Sequence, residues 1–229
     1  MGARAGSIRQ NSMQSISVLQ SDLPLRVLCI GCHSDDIEIG CGGTILQLLA
    51  RNPNLQFSWM VFSSGGSERE KEARHSAELF LAKATKKELI VKDFRDGFFP
   101  FDGAKIKEVF ERELKQRTPD VLFTQNRRDA HQDHRLIAEL TWNTFRDHLV
   151  LEYEIPKYDG DLGQPNFFVP LEKEAYASKV DYLMRAFATQ RGKRWFEPET
   201  FTALMRMRGM ECNAPTGYAE AFYGRKLVL

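Results

Sequence analysis

Short apolar runs of strand length alternate with amphipathic helical stretches along the first part of this chain, and that rhythm restricts the fold more than any other feature. Residues 25–31 read as a strand, about 42–51 as a helix, 57–63 as a second strand and 68–83 as a helix. In that second helix Ala73, Ala77, Phe80 and Leu81 share one stripe, with charges opposite. A short strand at 88–91 follows, then a charged helix at 105–117 stopped by Thr118-Pro119, a strand at 120–124 and a helix at 135–148. This β-α-β-α order predicts an α/β fold: a three-layer, Rossmann-like, mostly parallel sheet with helices on both faces. After residue 148 the rhythm changes. A strand at 149–155, a loop rich in Asp, Gly and Pro at 156–170, helices at 171–189 and 199–210, and a short closing strand at 226–229 are expected to decorate the same core. The organisation read from the sequence is a flexible arm at 1–20 and one domain at 21–229.

A chain of 229 residues can bury one sizeable core. With 42% hydrophobic and 28% charged residues and a formal net charge of +1, it has the composition of an ordinary globular protein and no global field suited to nucleic acid or an anionic membrane. No apolar run reaches the roughly 18 residues of a membrane helix. The first 20 residues are rich in Ser, Gln and Arg and have no apolar core segment, so they read as an arm rather than a secretory signal, and a cytoplasmic location is expected. Four cysteines do not make a disulfide scaffold. Cys29 and Cys32 are three apart in an extended run, so their side chains point to opposite faces and cannot clamp one metal.

Chemistry is concentrated in two clusters, Cys32-His33-Ser34-Asp35-Asp36-Ile37-Glu38 and Asp129-Ala130-His131-Gln132-Asp133-His134, which hold three of the five histidines. Each follows an apolar run and precedes a helical pattern, at the strand ends where open α/β sheets gather their ligands. A His, a carboxylate and a second His brought together from two such loops would make a catalytic type of zinc site with one open position. Gly40-Cys41-Gly42-Gly43 after the first cluster suggests a tight turn or a phosphate cradle. The Lys-Ser/Thr of a P-loop is missing, however, and three preceding carboxylates would repel phosphate. His131 and His134 are three apart at a helix start and share a face; one can reach a metal while the other faces substrate. Asp133 between them can hold an imidazole in its protonated form or required tautomer.

The first cluster with Gly40-Cys41-Gly42-Gly43-Thr44 resembles the A-H-P-D-D-x-E…G-C-G-G-T signature of the LmbE-like (PIG-L) zinc-dependent N-deacetylases. The second resembles that family's D-x-H-x-D-H motif, and the likeness covers roughly residues 25–150. It implies one zinc ion per chain held by His33, Asp36 and His134, with Asp35 as general base. It also implies His131 as the residue that stabilises the tetrahedral intermediate or protonates the leaving amine, charged and supported by Asp133. Arg69 resembles a family position near the substrate. Cys32 stands where the family has Ala and Ser34 where it has Pro. The expected activity is removal of an acetyl group from an N-acetylated sugar or sugar conjugate, N-acetylglucosamine among them. An amidase acting on a non-sugar or non-acetyl amide and a non-catalytic metal- or sugar-binding module are the alternatives. The expected partner is a small molecule, with no nucleic acid and no membrane insertion; a homo-oligomer is left open.

The remaining candidates have bland readings. His75 reads as structural or exposed, His148 as a residue near a helix C-terminus where a positive ring favours the dipole, and Asp96-Gly97 and Asp102-Gly103 as turns first and rim residues second. The segment from Tyr158 to Gly163 reads equally as a sugar-pocket wall or a surface loop. Arg191, Lys193, Arg194 and Trp195 suit a phosphate-bearing substrate or a neighbouring subunit.

Overall fold

A seven-stranded sheet runs through the middle of the computed structural model, which describes residues 25–227; the expected arm at 1–20 lies outside the described residues. The strands are β1 (Arg26–Gly31), β2 (Gln56–Ser63), β3 (Lys86–Phe94), β4 (Val121–Gln125), β5 (Leu149–Tyr153), β6 (Phe167–Pro170) and β7 (Ala219–Gly224). Their spatial order is β3-β2-β1-β4-β5-β7-β6. The first five run parallel, and β7 is antiparallel to both of its neighbours, β5 and β6. The chain builds outward from β1 to β3, then returns to the other side of β1 with β4. At such a reversal the connections after two adjacent strands leave for opposite faces, and a crevice opens at the strands' carboxyl ends.

The connections obey that rule. Helices α1 (Asp36–Arg51), α2 (Glu68–Phe80), α5 (Lys173–Ala186) and α6 (Pro198–Glu211) cover one face, packing Ile45, Phe80, Leu183 and Phe201 against Val27, Cys29, Trp59 and Phe123. Helix α3 (Gly103–Val109), prolonged by a π-helical turn at Phe110–Leu114, and α4 (Gln132–Thr144) cover the other, over Leu28, Ile30, Met60 and Leu122. Period-two alternation along β1 thus feeds two cores, and Cys29 and Cys32 fall in different ones, as the spacing requires. All four cysteines are free and buried.

Three sequence expectations are corrected. Helix α1 begins at Asp36, six residues before the expected start at about 42, and the glycine run lies inside it. A Cβ on Gly40 would sit 2.3 Å from Cδ2 of Tyr153, and one on Gly42 2.5 Å from Cε1 of Phe80. The glycines therefore serve close helix packing rather than a turn. The closing strand is Ala219–Gly224, not 226–229; residues 225–227 are not strand, and 228–229 lie outside the described residues. The expected 156–170 loop also ends in β6.

Candidate active site

The two clusters open the crevice from adjacent strands. The chain leaves β1 at Gly31, and the carboxylate of Asp36 folds back under the turn, where its Oδ2 accepts from the backbone N–H of Cys32 (2.9 Å) and of His33 (2.8 Å). Gln125, the last residue of β4, donates its amide to the same oxygen at 3.0 Å, tying the neighbouring strand to the first cluster. Burial works against a charge on Asp36, but charged His134 and His33 and the hydrogen bonds outweigh it, and the carboxyl is held far below the usual carboxylate range.

The second cluster supplies the opposite wall. His131 is the N-cap of α4, with Nδ1 accepting from the N–H of Asp133 at 3.2 Å, and His134 sits in the first turn. Nδ1 of His134 lies 2.9 Å from Oδ2 of Asp129. His33 is held in the same manner, its Nε2 3.2 Å from Oδ2 of Asp133 and 3.0 Å from Oδ1 of Asp96. A carboxylate on one ring nitrogen fixes the proton there and turns the other nitrogen's lone pair outward, the usual support for a metal-binding imidazole.

The two remaining ring nitrogens lie close together. Nδ1 of His33 and Nε2 of His134 are 3.1 Å apart, and Oδ2 of Asp36 is 3.6 Å from the first and 3.5 Å from the second. Donors on a tetrahedral zinc ion at about 2.0–2.1 Å are about 3.3 Å from one another. The triangle therefore fits such an ion in size and in donor type, two imidazoles and a carboxylate. His131 also joins the cluster, its ring centroid 4.9 Å from that of His33 and 4.6 Å from that of His134. The buried Cys32 thiol belongs to a further donor group with Asp36 and His134; burial, then the Asp36 charge, pushes its pKa up, so it stays protonated.

Asp35, the residue before Asp36 in the chain, is the N-cap of α1. Its Oδ1 accepts from Nη2 of Arg69 at 2.9 Å, while its buried Oδ2 has no hydrogen-bond partner. Arg69 in turn donates to Glu72 (3.1 Å) and Thr189 (3.2 Å) and lies over the Phe187 ring. The expected substrate-side residue is thus committed to the neighbouring carboxylate.

The structure brings together His33, Asp35, Asp36, His131, Asp133, His134 and, through Asp35, Arg69. It corrects one pairing. The Asp133 carboxylate accepts from the N–H groups of Gly97 (2.7 Å) and Phe99 (3.1 Å) and faces His33, so it makes no hydrogen bond to the His131 ring beyond its own backbone N–H, and its charge favours protonated His131 only from a distance. Burial, with the charges of His134 and His33 next, lowers the His131 pKa. Asp96, read as a turn, reaches His33, and Asp129 and Gln125 prove to be supports that only tertiary contact reveals. Arg191 donates its Nε and Nη2 to Met184 O near the end of α5. His75 is exposed.

The sequence pattern of the PIG-L family, described as GlcNAc-PI de-N-acetylase, matches residues 28–145. The chain is 25% identical over 171 residues to the uncharacterized deacetylase YaiS of Escherichia coli (strain K12), a match spanning 69% of this chain and 89% of that protein. Its fold is that of the N,N'-diacetylchitobiose deacetylase from Pyrococcus horikoshii, with TM-score 0.69 and 21% identity over 90% of this chain and 88% of the other. It is also the fold of GalB, the 4-carboxy-2-hydroxymuconate hydratase of Pseudomonas putida KT2440, with TM-score 0.65 and 16% identity over 90% and 98% of the two chains. A shared fold does not choose between these reactions; the side chains at the crevice must. No helix among the described residues is long and apolar enough to cross a membrane.

Proposed function

The chain belongs to the PIG-L family of de-N-acetylases, and from that premise we propose that it is a zinc-dependent hydrolase removing the acetyl group from an N-acetylated sugar or sugar conjugate. The observation that carries this reading is the pairing of the His33–Asp36–His134 donor triangle with the free, buried Oδ2 of Asp35. Bound by those three residues, zinc would supply a Lewis-acid centre and an acidified water. Asp35, fixed through its other oxygen by Arg69, takes the proton of the attacking water on Oδ2. His131 accepts at Nδ1, so the neutral ring carries its proton on Nε2 and donates from there to the carbonyl oxygen as negative charge develops. Asp35 then returns its proton to the departing nitrogen, leaving acetate and a free amine. Asp133 and Asp129 act through His33 and His134, as positioning residues, and Arg69 acts through Asp35.

The test is release of acetate together with a free amine from a panel of N-acetyl sugars, including N-acetylglucosamine and N,N'-diacetylchitobiose, by protein reconstituted with zinc. Addition of water to a carbon–carbon double bond, the hydratase chemistry found on this fold, would release neither. Asp35→Asn should retain zinc and lose about 10²–10⁴-fold in turnover. His134→Ala should lose zinc as well as activity. Wild-type turnover in Asp35→Asn would overturn the assignment of the base.

A further inference from the structure

The segment after β5, which the sequence offers equally as a pocket wall or a surface loop, is fastened to the second cluster. Oδ2 of Asp129, already 2.9 Å from Nδ1 of His134, is 3.0 Å from Nζ of Lys157. Its Oδ1 accepts from the N–H of His131 at 2.8 Å. Lys157 donates to Oδ2 of Asp161 at 2.6 Å, and that same oxygen accepts from the N–H of Ala130 at 2.6 Å. The side chains are enclosed: Asp129 is 3%, Lys157 11% and Asp161 13% exposed. Gly160, at φ +63°, makes the turn that brings Asp161 back over Lys157. The far end of the loop is tied by Glu154, which accepts from Arg208 (2.8 Å), Tyr223 (3.0 Å) and the N–H of Gly163 (3.3 Å).

We propose that Lys157 and Asp161 are positioning residues of the metal centre, locking Asp129 in the rotamer that fixes the Nδ1 proton of His134 and turns its Nε2 lone pair to the metal. This rests on the reading of His134 as a ligand. Lys157 is the cation between two enclosed carboxylates. Without it they face each other unbalanced, and Asp129 is driven to turn away from the imidazole. Turned away, it no longer holds the imidazole as a hydrogen-bond acceptor. Asp161 sets the position of Lys157 and pins the backbone of the 129–131 turn.

The experiment is a zinc competition titration of metal-free protein against a chromophoric chelator, for wild type, Lys157→Met, Lys157→Arg, Asp161→Asn and His134→Ala, with thermal melts of each metal-free variant. Lys157→Met should bind zinc about 10–100-fold more weakly, the range seen when the outer partner of a metal-binding His is removed. Lys157→Arg should restore most of the affinity, and Asp161→Asn should fall between. If Lys157→Met does not fold, Lys157→Gln, uncharged but still a donor, is read in its place. Wild-type zinc affinity in Lys157→Met or Lys157→Gln, with a lower melting temperature or a raised KM as the sole change, overturns the proposal and leaves these residues a loop clasp or a substrate contact. Wild-type affinity in His134→Ala would instead overturn the ligand assignment, and this inference with it.

Discussion

At the scale of single residues the site is built from carboxylates that each hold something else in place. Asp35 is the exception, because one of its oxygens has nothing to hold. Arg69→Met would remove the group that aims it, so kcat should fall by at least about tenfold with little change in KM, since no ground-state contact to substrate is lost. A KM effect alone would return Arg69 to the substrate side, where the sequence placed it. The proposed ligand histidines should make zinc uptake pH-dependent. Burial opposes a charge on His33, yet Asp36, Asp133 and Asp96 outweigh it and raise its pKa well above 6.5 in the metal-free protein. The stability this contributes is full below about pH 6.5 and is lost as pH rises through the raised value. Zinc must displace that proton, so its apparent affinity should fall about tenfold per pH unit below the raised value. Titrations at several pH values check this, and a flat affinity would remove His33 from the ligand set. Residue types and spacing alone make His33, Asp36 and His134 legible as a donor set. They do not show that Asp133 serves His33, because a strand and a loop from another part of the chain decide which imidazole is near.

At the scale of elements, α1 is the piece the sequence misjudged. Glycine costs helix stability and normally marks turns, which is why Gly40-Cys41-Gly42-Gly43 reads as a tight turn and the helix is expected only from about 42. Here the cost is offset by proximity, since the helix lies against Tyr153, Phe80 and Leu171 with no room for a methyl group. Gly40→Ala should therefore destabilise the fold by about 1–3 kcal/mol, the usual cost of overpacking, even though Ala is the better helix former. Urea unfolding would measure it, and a stabilised variant would show that Tyr153 can move aside. The same helix receives a buried ion pair. Glu220 of β7 accepts from the N–H of Gly43 (2.8 Å) and Thr44 (2.6 Å), and Lys179 of α5 donates to Glu220 (2.5 Å) and Ile39 O (2.6 Å). Lys179→Met strands a buried carboxylate and should cost about 3–5 kcal/mol, whereas the double change Lys179→Met, Glu220→Gln should recover part of it. Strand β7 was illegible for a related reason. A charged residue at 220 interrupts its apolar pattern, and only the partner helix explains why that charge is buried.

At the scale of the molecule, the parallel order was readable from the rhythm of the first 150 residues, and the crevice follows from β1 and β4 lying side by side. A ligand joining loops 101 residues apart binds the folded chain and not the unfolded one. Zinc at about 1,000 times its Kd should thus add about 4 kcal/mol of stability, seen as a rise in melting temperature that His134→Ala abolishes. The position of β7 has a consequence for how the protein is made. A chain emerging amino end first offers both histidine clusters and five parallel strands while residues 219–224 are still to be synthesised. Yet that last strand is not added at a rim; it fills the gap between β5 and β6 and delivers Glu220 into α1, the helix that begins with Asp36. A nascent chain can thus hold every side chain of the proposed metal site while the helix beneath them lacks its brace, so the site reaches its final form only after residues 219–224 have left the ribosome.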